Sequence, residues 1–370
     1  MKWRKNKAGK YVWICSIIIL SGFISYCTDT DKFYNREDFK TFEKIDAHMH
    51  VRTDDPAWLE QAKQDNFRLF SLNTDVPNFV GLPEQQEIVL RLKKKYGDRI
   101  NYATSFSMEG FNEPHWQEKT LDYLKDSFKK GALAVKVWKN IGMTVKDEEG
   151  NFVMIDDSRF DPIFSYLAEH NIPLFGHIGE PKNCWLPLEK MTVKSDQAYF
   201  KMHPEYHMYK HPEYPSYQEI IDARDAMLRK NPDLKFIGCH LASLEWSVDE
   251  LAERFDEFPN LAVDLAERIC HLQVQSQQDR DKVRGFIIKY QDRILYGSDF
   301  GSGLSVSGVD DIDVLMEHMH KRWVEAWRYF ATDDIMTAPE LDGEFKGLKL
   351  SKNVVEKIFR YNAEKWIPGL

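Results

Sequence analysis

Six residues in this chain have side chains that could do metal chemistry, and each closes a strand-like segment. They are His48 and His50 in KIDAHMH, Lys136 in ALAVKVW, His177 in IPLFGHIGEP, His240 in KFIGCHLAS and Asp299 in RILYGSDF. A strand alternates its side chains between two faces, so two histidines two residues apart point the same way. Two imidazoles on one side of one strand end offer neighbouring nitrogen ligands to a divalent cation. Catalytic zinc sites combine a few such nitrogens with carboxylates and keep one position open for water. A lone H-x-H, a lone G-S-D or a lone strand-end lysine says little. Their conjunction at four or five strand ends, in one direction of travel, points to a metal-dependent hydrolase.

The elements that must position these groups are legible as short apolar runs at 44–50, 67–72, 100–106, 133–138, 172–177, 234–240, 261–265 and 293–299. Such runs suit parallel strands buried on both faces. Between them lie amphipathic stretches. Ile88, Leu92 and Tyr96 form one stripe in 84–96, and Leu121, Leu124 and Phe128 another in 117–129, at helical spacing. Segments 250–258, 279–290 and 352–361 read the same way. Eight strands alternating with helices predict a (β/α)8 TIM barrel, whose active site lies at the carboxyl ends of the strands. All six residues fall there.

Composition agrees with a single large enzyme domain. The 370 residues are 43% hydrophobic and 29% charged, with a net charge of −9. An acidic balance argues against a nucleic-acid partner, which needs a basic face. The expected partner is a small-molecule substrate.

The amino terminus differs from the rest. Lys2, Arg4, Lys5, Lys7 and Lys10 precede a nearly uncharged run at 11–26, shorter than the ~20 residues that span a bilayer. This predicts an export signal over 1–26. Ile24-Ser25-Tyr26-Cys27 is similar to a bacterial lipoprotein box, with Cys27 the lipidated residue; an uncleaved anchor with an incidental Cys27 is the alternative. Residues 27–41 would be a polar tether and 42–370 the catalytic domain. The expected location is the cell envelope, with membrane contact through the N-terminal lipid or anchor. Of five cysteines, Cys184, Cys239 and Cys270 remain for the domain, too few and too scattered for a disulfide framework. Cys239 and Cys270 are expected to be small buried residues.

One segment, 182–217, is unusually rich in rings and prolines, including Trp185, Tyr199, Tyr206, Tyr209, Tyr214 and Tyr217. It is either a lid or substrate wall above the barrel mouth, or a packed excursion that stabilises the rim. His203, His207 and His211 have i, i+4 spacing, but Pro204 and Pro212 interrupt it, which favours packing or solvated roles.

With these motifs in hand, the chain resembles the amidohydrolase superfamily, in the amidohydrolase-related branch that also holds decarboxylases and hydratases. The likeness runs from about residue 44 to the C-terminus, through IDAHMH, AVKVWKN, IPLFGHIGEP, FIGCHLAS, ILYGSDF and the closing RYNAEK. The resemblance implies that His48, His50, His177 and Asp299 bind a divalent metal, with Zn2+ the first choice. It makes His240 either a ligand of a second metal or the group that polarises the substrate. Lys136 departs from the decarboxylase-like pattern. It would be carboxylated and bridge two metals, or hydrogen-bond, or bind an anionic substrate, or form an ion pair at the rim.

In the reaction so implied, Asp299 acts as general base and His240 donates a hydrogen bond to the substrate carbonyl. Arg268, Glu180, Trp138 and Trp185 are the candidate substrate contacts. Arg268 would hold a substrate carboxylate or form an ion pair with Glu267 or another acid; Glu180 would orient a ligand, meet substrate or sit on the rim. The expected activity is hydrolysis of a cyclic ester, amide or related C–O or C–N bond. A non-oxidative decarboxylase or hydratase on the same scaffold is the alternative, and an envelope-anchored binding protein a third reading.

Overall fold

The computed structural model describes residue 1 and residues 32–77, 80–301 and 311–370. The expected signal, Cys27 and the first part of the tether lie outside the described residues. Parallel strands β1 (Lys44–His50), β2 (Phe67–Leu72), β3 (Ile100–Ser105), β4 (Ala134–Val137), β5 (Leu174–Gly176), β6 (Phe236–Gly238), β7 (Leu261–Asp264) and β8 (Ile294–Leu295) pair in chain order. A short β9 (Phe300–Gly301) then pairs with β1, Phe300 opposite Met49 and Gly301 opposite His50. β8 and β9 are successive parts of one stretch of chain, which meets β7 at its start and β1 at its end. Between them the Ala47 N–H donates to the Tyr296 carbonyl at 2.9 Å, and the Asp299 N–H to the His48 carbonyl at 2.8 Å. The sheet therefore closes on itself, and the (β/α)8 TIM barrel is the fold.

Helices such as Leu82–Tyr96, Trp116–Lys129, Tyr217–Lys230 and Val248–Glu257 cover the outside of the barrel. Their apolar stripes pack on the sheet in one large cluster. A second, smaller cluster fills the interior, with Ile45, Ala47, Phe70, Phe175, Ile237 and Leu295 among its residues, and Trp366 and Ile367 close to its base. Among the described residues no helix is long and apolar enough to cross a membrane.

Several expected boundaries move. The strand-end residues His177, His240 and Asp299 sit just past β5, β6 and β8, where the chain leaves the sheet. The helix expected at 279–290 is the second half of Ile269–Lys289, broken at Asp279 by a φ of −152°. The segment 352–361 divides into Lys352–Glu356 and a π-turn at Lys357–Tyr361.

The tether expected over 27–41 is corrected for its described part. Phe39 is buried, Tyr34 donates its hydroxyl to Glu356 at 2.7 Å, and Arg36 pairs with Asp334. Aromatic residues at 33, 34 and 39 supply apolar area that a free tether would leave in water, so the domain begins before residue 42.

Segment 182–217 is a packed excursion. It contains the helix Lys194–Met202, and Asn183, Cys184, Phe200 and Met208 are buried. His207 is buried against the Leu186 carbonyl at 2.8 Å, while His203 and His211 face Glu205 and Glu213. The three histidines do not converge.

Candidate functional site

The site begins with a fault in β1. Ile45 and Ala47 point into the barrel interior, and Asp46 points outward, where its Oδ2 accepts from the Trp323 indole at 2.8 Å. Regular alternation would send His48 outward too. Instead the register with β2 shifts between Asp46 and Met49. A bulge inserts one residue and re-aims the side chains beyond it. Met49 and Val51 then join the outer core, and His48 and His50 turn into the mouth. Gly297 makes room for this, because a Cβ there would stand 2.7 Å from the His48 Cβ.

Both histidines converge on one atom. Asp299 Oδ1 lies 3.1 Å from His48 Nε2 and 3.1 Å from His50 Nε2. Their other nitrogens are committed: His48 Nδ1 to Asp264 Oδ2 at 2.8 Å, and His50 Nδ1 to the Leu72 carbonyl at 2.7 Å. A carbonyl oxygen only accepts, so His50 carries its proton on Nδ1 and presents a lone pair at Nε2. A lone pair and a carboxylate oxygen repel unless a cation lies between them.

His240 repeats the pattern. Its Nδ1 donates to the Ala266 carbonyl at 2.9 Å, while its Nε2 is buried without a hydrogen-bond partner. His177 Nε2 is likewise buried and unpartnered. The His177 and His240 ring centroids are 4.3 Å apart, and those of His48 and His240 4.9 Å. Donor atoms of His48, His240 and Asp299 all lie within 4.8 Å of one another. Unpartnered imidazole nitrogens around one carboxylate are the donor set a divalent transition metal requires. The residues present fit the group.

Electrostatics agree. Burial pushes His50 down to about 4 and His240 to about 3, and holds His177 well below its usual value, so these rings are neutral, the form in which an imidazole can bind a metal. Burial and the Lys136 charge oppose protonation of His48, yet Asp264 and Asp299 raise it well above the ordinary histidine value. Burial would raise Asp299, but His48 and His240 keep it well below the carboxylate range. The carboxylates that hold a proton on His48 would equally favour a divalent cation.

Neutral His240, with its proton fixed on Nδ1, has no hydrogen to offer at Nε2. Of the two expected roles of His240, this geometry suits a ligand rather than a hydrogen-bond donor to a substrate carbonyl. The residue sits in a run of four left-handed residues, His240, Leu241, Ala242 and Ser243, with φ between 55° and 58°. Such a run is costly for residues with a Cβ. It is held by the buried Arg224, which donates to the Ala242 carbonyl, by Ser243 Oγ on the Ile178 carbonyl at 2.9 Å, and by the Tyr217 hydroxyl on the Ser243 carbonyl at 2.5 Å.

Two residues escaped the sequence reading. Asp264 closes β7 and organises the centre: Oδ2 accepts from His48, and Oδ1 from the His240 and Ala266 amides at 2.8 and 3.1 Å. His48, Cys239 and Asp264 also lie within ligand reach of one another, but both Asp264 oxygens are already taken, so Asp264 orients. Its signal was present, since it is one more strand-end carboxylate in the same direction. Arg224 carried no signal, because a helix gives no hint of a strained turn across the core.

Lys136 is buried, its Nζ 3.4 Å from His48 Nε2 and 2.9 Å from Cys239 Sγ. It is not a rim ion pair. Glu180 pairs with Lys139. Arg268 is half-buried and donates to the Glu267 backbone carbonyl at 3.1 Å; of its expected partners the Glu267 carboxylate is ruled out, because Arg322 takes it. Burial works against the Arg268 charge, but Asp196 and Glu245 raise its pKa. Trp185 is anchored in its loop by the Pro215 carbonyl at 3.2 Å and by the Tyr217 ring. Trp138 is half-buried beside Lys139. Cys239 is buried as expected, and Cys270 is only partly so.

A sequence model of the amidohydrolase family matches residues 45–368. No curated protein matches the chain. Among solved structures, it is similar to a 2,6-dihydroxybenzoate decarboxylase from Rhizobium, at 12% identity over 88% of this chain and 98% of that one, with a TM-score of 0.50. It is also similar to an uncharacterised TIM-barrel protein from Bordetella bronchiseptica (14% identity, 88% and 98% covered, TM-score 0.48). A 4-oxalomesaconate hydratase from Rhodopseudomonas palustris gives 14% identity, 88% and 95% coverage and a TM-score of 0.46. The first is a likeness of fold.

Proposed function

The chain belongs to the amidohydrolase family, and from that premise we propose that it is a metal-dependent hydrolase opening a cyclic ester, amide or related C–O or C–N bond in a small molecule. The observation that carries this reading is the placement of one Asp299 oxygen 3.1 Å from both His48 Nε2 and His50 Nε2. His48, His50, His177 and Asp299 would hold a divalent cation, Zn2+ by the choice of ligands, with His240 beside them. When bound, that metal supplies a Lewis acid and makes hydroxide available near neutral pH.

The chain's own residues supply the rest. Asp264 and the Leu72 and Ala266 carbonyls fix the imidazole orientations before substrate arrives. Asp299 takes the proton of the attacking water and returns it to the leaving group. Burial keeps His50, His177 and His240 from competing for that proton.

One observation favours the second reading, a non-oxidative decarboxylase or hydratase. Arg268 Nε is buried beside the mouth without a hydrogen-bond partner. A guanidinium with free donors suits a substrate carboxylate. The test is to offer the zinc- and manganese-loaded protein a panel of lactones and cyclic amides and a panel of hydroxylated aromatic acids. Acid release from the first supports hydrolysis. Carbon dioxide release from the second, with no acid from the first, replaces it with the lyase.

A further inference from the structure

Of the three described cysteines, one faces an amine. Cys184 Sγ meets the Tyr206 carbonyl at 3.1 Å, and Cys270 Sγ the Glu267 carbonyl at 3.8 Å. Cys239 Sγ instead lies 2.9 Å from Lys136 Nζ, with Cys239 fully buried and Lys136 nearly so. Both have their backbones fixed by the barrel. Lys136 sits inside β4, its carbonyl accepting from Ser105 Oγ at 2.8 Å. Cys239 follows β6 directly, at the floor of the mouth, packed with the barrel interior. Atoms fixed at or inside 3–3.5 Å are positioned to react, and such placement is worth effective concentrations far above any solute.

We infer that Cys239 and Lys136 form an oxidative modification site, in which peroxide converts the thiol to a sulfenic acid that condenses with the lysine amine into a sulfenamide cross-link. The oxidant is hydrogen peroxide. Cys239 sulfur attacks one peroxide oxygen, the O–O bond breaks, and the other oxygen leaves as water. Sulfur is oxidised by two electrons and peroxide is reduced by two. Lys136 first gives its ammonium proton to solvent; its nitrogen lone pair then attacks Sγ, an S–N bond forms, and the S–O bond breaks. The departing hydroxide takes a proton from nitrogen and leaves as a second water. Two thiols reverse the link, the first forming a mixed disulfide with Cys239 and freeing the amine, the second releasing the thiol. Sulfenic acids are known to condense with backbone nitrogen in this way; here a side-chain nitrogen lies 2.9 Å from the sulfur.

The consequence reaches the candidate metal centre. Lys136 Nζ is also 3.4 Å from His48 Nε2. Cross-linking consumes the amine, ties the end of β4 to the end of β6, and removes an ammonium from beside a ligand. A carboxylated Lys136 has no free amine, so the cross-link and a lysine-bridged metal pair exclude one another.

The test reads peptides rather than turnover, so it stands or falls independently of the proposed reaction. The full chain is treated with equimolar hydrogen peroxide, free thiols are alkylated, and the digest is weighed by mass spectrometry. The expected result is a joined pair of peptides containing Lys136 and Cys239, lighter than their sum by two hydrogen atoms and separated by dithiothreitol. It is absent from Cys239→Ala, from Lys136→Met, and from chain treated after unfolding in urea. Wild-type peptides decide the matter even where a variant fails to fold. Sulfinic acid on Cys239 without a joined peptide overturns the inference, as does an alkylated Cys239. A joined pair carrying an added oxygen, or an equal yield from unfolded chain, also overturns it.

Discussion

His48 gives its Nδ1 hydrogen to Asp264 at 2.8 Å, and this contact decides which of its nitrogens faces Asp299. Asp264 also ties the His240 amide into the same structure. One carboxylate thus sets the direction of one candidate ligand and the backbone of another.

Asp264→Asn leaves one of these sets of donors without an acceptor, whichever way the amide turns. Partners of this kind are worth 10–100-fold in metal affinity. Zinc affinity measured by competition with a chelator should fall by about that factor, with the circular dichroism spectrum unchanged. Equal affinity would mean that Asp264 orients nothing.

Arg224 is buried, pairs with Asp225 at 2.6 Å, and holds the left-handed turn that carries His240. Breaking a buried pair outright costs about 3–5 kcal/mol; here Arg254 still holds Asp225 Oδ2 at 2.9 Å, so the cost falls toward the lower end. Arg224→Ala should lower unfolding free energy in urea by an amount of that order and weaken metal binding with it. Arg229→Ala, which removes an exposed ion pair with Glu257, should change neither.

Lys44 is buried at the start of β1, where it donates to the Phe39 and Phe42 carbonyls. Burial lowers its pKa from 10.5 to about 7, with Asp65 opposing. Between those values the unfolded chain holds a proton that the folded chain has released, so stability rises with pH. The slope from this group is up to ~1.4 kcal/mol per pH unit. Urea unfolding at several pH values between 7 and 10.5 should show that slope in the wild type, relative to Lys44→Met. Parallel curves for the two proteins would show that the Lys44 ammonium stays charged.

Much of this was legible in the sequence because barrel strands announce themselves as apolar runs and the fold gathers their ends. His48, His50, Lys136, His177, His240 and Asp299 could be located on that basis. The bulge between Asp46 and Met49 could not, because one extra residue in a ladder leaves the apolar pattern of β1 looking regular. The tautomer of His240 was hidden as well, since it depends on the Ala266 carbonyl, contributed by the chain beyond another strand. Glu267 was one of the acids expected to pair with Arg268, and only tertiary structure brings Arg322 to that carboxylate. Lys136 was recognised, but its neighbour Cys239 lies 103 residues away.

The most direct test of the central claim is metal content. The purified chain is loaded with zinc or manganese, dialysed, and analysed by mass spectrometry beside His50→Ala, His177→Ala and Asp299→Asn, each first shown to be folded. The account predicts about one divalent cation per wild-type chain and its loss or marked depletion in all three variants. A wild-type chain that retains no metal, or variants that retain as much as the wild type, would contradict it.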